Sequence, residues 1–141
     1  MKIKLDFVTN SSSTSFILVP KGRFSKKSFF NALGIEGKFP LEFIYDELFE
    51  SLDHEKTEIS EYIALSYPEM SVAEFLKKGH YFDYDDETIA KVLSYMDKGK
   101  KVYVGTLSSE SSMNSAELLF CTESFLIVGN DFYLNGEIGG W

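Results

Sequence analysis

Cysteine is nearly absent from this sequence. Cys121 is the only one, so no intrachain disulfide can form. With no basic neighbour to lower its thiol pKa, Cys121 reads as a small buried apolar residue. Proline is almost as scarce, at three residues in 141, and with only ten glycines there is no room for a long disordered linker. No run of 18 apolar residues occurs, which excludes a membrane-spanning helix. No apolar stretch of signal-peptide length follows Met1-Lys2-Ile3-Lys4, so the expected location is cytoplasmic. The two histidines, His54 and His80, lie far apart, and with one cysteine they cannot build a zinc site of ordinary spacing. Neither a phosphate-binding Gly-x4-Gly-Lys-Ser/Thr loop nor a Gly-x-Gly-x-x-Gly turn after a strand is present. No cofactor is therefore expected.

What the chain has in quantity is aromatic side chains and acid. Thirteen Phe and eight Tyr promise a Phe-rich core, and 141 residues suit one domain spanning 1–141. Charge is uneven along the chain. Residues 1–38 hold seven Lys/Arg against two acids, a net of +5; residues 39–97 hold four against fifteen, a net of −11. Residues 98–141 are close to neutral at −2. An acidic middle argues against a surface that tracks phosphates, so nucleic acid is not an expected partner.

Period-two alternation over residues 2–9 predicts a half-buried strand, with Ile3, Leu5 and Phe7 on one face. The polar break Asn10-Ser11-Ser12-Ser13-Thr14 favours a turn. Phe16-Ile17-Leu18-Val19 then reads as a strand buried on both faces, closed by Pro20. Four or five helices follow. Ser25 caps the first and Gly34 stops it. Pro40 suits the opening turn of the second, whose Leu41, Ile44, Leu48 and Leu52 form one apolar stripe. Thr57 opens a shorter helical segment, and Ser71-Val72-Ala73-Glu74 is a capping box with Gly79 as the stop. Asp85 or Asp86 caps the last, which ends at Gly99. Strands are expected again at 101–105 and 125–128, with a helix at 115–120 between them. That strand–helix–strand unit could add one parallel pairing through a right-handed crossover. Gly129-Asn130 and Asn135-Gly136 are turn signals.

Grouped strands and grouped helices predict an α+β fold: one mainly antiparallel sheet of four or five N- and C-terminal strands, with the helices packed on one face. Phe7, Phe16, Leu18, Leu48, Leu93, Val104 and Leu126 are the expected core.

Three segments carry candidate chemistry. Asp83, Asp85, Asp86 and Glu87 are clustered carboxylates of the kind a divalent cation needs, and with His80 they admit a metal-assisted hydrolase. Thr88 stands where an EF-hand requires Gly, and acids at a helix start equally suit the macrodipole. His54, beside Asp53, is read as a surface residue, because neighbours on a helix do not face each other. The second segment, Asn10, Ser11, Ser12, Ser13, Thr14 and Ser15, offers hydroxyls and backbone N–H groups that could cradle an anion. In the third, Glu42, Asp46, Glu50 and Asp53 recur at spacings of four, four and three opposite the apolar stripe. That acidic face suits a partner protein with a basic contact surface. The leading expectation is an accessory protein acting by protein–protein contact rather than an enzyme.

Phe7-Val8-Thr9-Asn10-Ser11-Ser12-Ser13-Thr14-Ser15-Phe16 resembles the F-V-[ST]-N-S-S-S-S-S-F opening of many small bacterial and phage proteins, with Thr14 where those usually carry Ser. The resemblance covers about the first 20 residues. It implies a bacterial, archaeal or phage origin, and it implies no activity, cofactor or catalytic residue.

Overall fold

A computed structural model describes residues 13–34, 42–79, 82–108, 125–129 and 132–139. Along these run β1 (Ser13–Pro20), α1 (Lys26–Leu33), α2 (Glu42–Glu55), β2 (Thr57–Glu58), α3 (Ile59–Ser66), α4 (Val72–Lys78), α5 (Asp86–Asp97), β3 (Tyr103–Ser108), β4 (Phe125–Val128) and β5 (Phe132–Gly139). The five strands form one sheet in the order β2-β3-β1-β5-β4, and every neighbouring pair is antiparallel. The α+β class and the single antiparallel sheet agree with the sequence reading.

β1 lies at the centre because its sequence can be covered on both sides. Phe16, Ile17 and Leu18 are fully buried, and so, within 1%, is Val19. Successive strand residues face opposite ways. Ile17 and Val19 pack with Val104 and Tyr133 under Ile59 and Ile63 of α3, Phe75 and Leu76 of α4, and Ile89 and Val92 of α5. Phe16 and Leu18 pack with Leu107, Phe132 and Leu134 under Phe29 of α1 and Leu48, Phe49 and Leu52 of α2. The helices thus occupy both faces, two on one and three on the other, rather than the single face expected. The cause lies in β1 itself, since a strand apolar on both sides needs cover on both.

Helix ends follow local chemistry. Ser25 Oγ accepts from the Ser28 N–H and Ser28 Oγ accepts from the Ser25 N–H, each at 3.2 Å. Gly34 ends α1 at φ 75°, a left-handed conformation that glycine adopts without strain. Ser71 and Glu74 close a reciprocal capping box on α4. Asp85 accepts from the Thr88 N–H at 2.8 Å to start α5.

Elsewhere the tertiary structure overrides the local signals. Thr57 does not open a helix; Thr57–Glu58 is a short strand on β3, and α3 begins after it. Asn135-Gly136 is not a turn but lies mid-strand in β5, opposite Ile17 and Phe16. β3 and β4 are not neighbours in the sheet, so no parallel pairing arises between them. Leu93 is 36% exposed, because α5 turns Ile89 and Val92 to the core instead. Leu126 is 60% exposed: Phe125 and Ile127 pack into the α1–α2 core, which leaves Leu126 and Val128 on the opposite face of the sheet's edge. The expected strand at 2–8 with Phe7, the helix at 115–120 and Cys121 lie outside the described residues.

Candidate functional site

Helix α2 concentrates acid. Glu42, Asp46, Glu47, Glu50, Asp53 and Glu55 all belong to it, and it contains no Lys or Arg. Its apolar positions fix its orientation: Leu48, Phe49 and Leu52 are buried against the sheet. Positions about half a turn away must then face outward. The expected stripe is therefore present, but it is not bare. Lys26, at the start of α1, places its Nζ 3.1 Å from Asp46 and 3.3 Å from Glu50. Its hydrogen bond to Asp46, with that to Glu50, holds the Lys26 ammonium above its ordinary pKa. Lys56 Nζ sits 2.6 Å from Asp53 and also donates to the Asp53 carbonyl at 3.2 Å. Of the four stripe residues, Asp46, Glu50 and Asp53 are thus partly balanced by lysines from outside the helix. Glu42 lies in the first turn, where the helix dipole favours a carboxylate.

One residue of this face was absent from the sequence reading. Phe43 is 54% exposed. It stands three residues before Asp46 and seven before Glu50, so the ring and both carboxylates share one side of the helix. The same spacing rule, applied to the sequence, would have found it. A large exposed aromatic among carboxylates is a surface fitted to an ammonium or guanidinium, which the ring face and the acids attract together.

The hydroxyl segment is described only from Ser13 onward. Asn10, Ser11 and Ser12 lie outside the described residues, whereas Ser13, Thr14 and Ser15 are strand residues of β1. Thr14 and Ser15 are fully buried. Ser15 Oγ lies 3.2 Å from the Tyr84 hydroxyl. That hydroxyl is also 3.1 Å from the Ser15 carbonyl and 3.3 Å from the Asn135 carbonyl. Asn135 Nδ2 donates to the Tyr133 hydroxyl at 2.9 Å. This polar seam ties the segment before α5 to β1 and β5, satisfying groups that would be costly to bury alone.

The acidic cluster is divided between structural duties. Asp85 is the cap of α5, and hydrogen bonds from the Thr88 hydroxyl and N–H hold its carboxyl below the ordinary range. Asp86 pairs with Lys77 at 2.6 Å, which raises the Lys77 ammonium. Asp83 and Glu87 are exposed, and His80 lies outside the described residues. Among the described residues no three His, Cys, Asp or Glu side chains converge to hold a metal ion. His54 is exposed, with Nδ1 3.4 Å from Glu55 rather than Asp53.

No helix among the described residues is long and apolar enough to cross a membrane. Comparison with protein-family models, curated proteins and solved structures found no match to this chain.

Proposed function

We propose that this chain is a protein-interaction module whose acidic α2 face receives a Lys/Arg-rich segment of a partner. The observation that carries the reading is the placement of exposed Phe43 beside Asp46 and Glu50. Aromatic residues are enriched at binding surfaces because they bring large contact area at little entropic cost. The carboxylates add attraction to cations and, through long-range steering, faster encounter. Lys26 supports the same reading from within the chain: the Asp46–Glu50 pair already grips one ammonium. Among the described residues, Glu42, Asp46, Glu50, Asp53 and Glu55 set against Lys26 and Lys56 leave the helix surface with surplus negative charge for another.

The test is selection of binders from a random peptide library on the immobilised chain. Enriched peptides should be rich in Lys and Arg. For one such peptide, the double change Asp46→Lys, Glu50→Lys should lower the association rate by about tenfold or more. Phe43→Ala should raise the dissociation rate, and rising salt should slow association of the unaltered protein. Circular dichroism should be unchanged in all variants, since the altered side chains are at the surface. Association insensitive to both salt and charge reversal would end the proposal.

A further inference from the structure

A second charged feature lies where β1 ends and β3 begins. Antiparallel pairing sets Leu18 opposite Tyr103. That register carries the chain leaving β1, Pro20-Lys21-Gly22, past the chain entering β3, Gly99-Lys100-Lys101. Gly99 makes this approach possible by turning the end of α5 at φ 81°. The two segments and Tyr103 border an open recess of about 200 Å³, lined by Lys21, Lys100 and Lys101 with no carboxylate among its described lining residues. A second recess, of about 510 Å³, shares the Lys101 and Tyr103 wall and adds Lys56, Thr57, Glu58 and Glu61.

Lys26, Lys56 and Lys77 each pair with a carboxylate. Among the described residues no carboxylate lies within ion-pair distance of Lys21, Lys100 or Lys101. In a chain of net charge −8, three uncompensated ammonium groups around one recess form a local positive potential. Lysine binds phosphate as a point charge, and several together can surround its oxygens. The smaller recess is below the usual size of a whole ligand site, about 300–1,000 Å³, while the larger falls within it. Glu58 and Glu61 would repel an anion but accept hydrogen bonds from hydroxyl or amino groups.

We propose that this cleft binds a phosphorylated small molecule, with the phosphate among Lys21, Lys100 and Lys101. The hydroxyl- or amine-bearing remainder then lies along Tyr103, Glu58 and Glu61. The inference does not depend on the α2 face.

The test titrates the ¹⁵N-labelled chain with adenosine monophosphate, ribose 5-phosphate, inorganic phosphate and adenosine. Saturable amide shifts should appear at residues 21–22 and 99–103 with the three phosphates and not with adenosine. The two organic phosphates should bind several-fold more tightly than inorganic phosphate. The double change Lys100→Glu, Lys101→Glu should weaken binding at least tenfold, and Lys21→Glu alone should weaken it by a smaller factor. The control Lys27→Glu, Lys78→Glu changes the net charge equally and should have little effect. Absence of saturable shifts at those residues would overturn the site, and equal loss in the control would reduce it to bulk charge. Equal affinity for all three phosphates would overturn the organic half. Affinity that climbs with the length of a single-stranded oligonucleotide would replace the small molecule by nucleic acid.

Discussion

A row of four residues crosses the sheet on the side of α1 and α2: Gly105, Phe16, Gly136 and Phe125 stand opposite one another on β3, β1, β5 and β4. Each glycine lies under an aromatic ring. A Cβ at Gly105 would stand 2.6 Å from Phe16 Cζ and 2.8 Å from the Glu55 carbonyl; at Gly136 it would stand 2.5 Å from the Phe125 ring. Neither glycine is a hinge or a turn. Each leaves a groove into which the neighbouring strand's ring packs, as aromatic residues do across glycines in sheets. Gly105→Ala should therefore destabilise by about 1–3 kcal/mol through overpacking, because fully buried Phe16 and a backbone carbonyl cannot both retreat. Gly22, where a Cβ meets nothing within 4 Å, provides the control, and Gly22→Ala should stay within about 0.5 kcal/mol. Urea midpoints measure both; a Gly105→Ala protein as stable as the original would contradict the packing described.

At the scale of the element, the helices are bounded by side chains acting within three residues. Asp85 is the clearest example, and its cap carries a sign that pH can read. Its folded-state pKa lies below the unfolded value because the ionised form accepts the Thr88 hydrogen bonds. Stability from that bond is complete above the unfolded pKa and is lost as pH falls through the folded one. Asp85→Asn keeps a good cap but removes the titration. The original protein should melt at or above the variant at neutral pH. The gap should close as pH drops below about 4, near the ordinary Asp range. Thermal melts across that range check this, and a gap independent of pH would show that the carboxylate's charge does not matter. The acidic face of α2 belongs to the same scale. Like charges at spacings of three and four disfavour their own helix, and Lys26 and Lys56 offset part of that repulsion.

For the whole molecule, the decisive feature is that two hydrophobic layers share one strand. β1 gives Phe16 and Leu18 to one core and Ile17 and Val19 to the other. Neither layer can be lost without exposing half of β1, so the described layers should unfold together. Phe29→Ala, in the α1–α2 layer, and Phe75→Ala, in the α3–α5 layer, remove fully buried rings. Each should cost about 3–5 kcal/mol and lower one shared transition. Hydrogen exchange should show amides of both layers opening at a common free energy in either variant. If Phe29→Ala released α1 and α2 while α3–α5 kept their protection, the cores would be independent units. Around this shared scaffold, surplus carboxylates mark α2, while uncompensated lysines gather where β1 ends and β3 begins.

Sequence alone determined the features whose partners lie close along the chain. Ser25, Ser71 and Asp85 bond to groups three residues on, Gly34 needs only its own backbone freedom, and Phe16–Val19 declares by unbroken apolarity that it is buried on both sides. The α2 stripe was equally legible, because helical spacing relates Asp46 to Glu50 without reference to anything else. Features resting on long-range register were decided by tertiary structure. Asn135-Gly136 has the composition of a turn, yet it becomes strand because β1 pairs alongside it, with Ile17 and Phe16 opposite, and Phe125 covers the glycine. Leu126 has the composition of core, yet β4 stands at the sheet's edge with Phe125 and Ile127 turned inward. Lys26 reaches Asp46 and Glu50 only because α1 packs beside α2. Lys21 meets Lys100 and Lys101 only because β1 pairs with β3 in the register that sets Leu18 against Tyr103. Contacts within a helical turn are written in the spacing of residues, whereas contacts between strands dozens of residues apart exist only once the sheet has chosen its order.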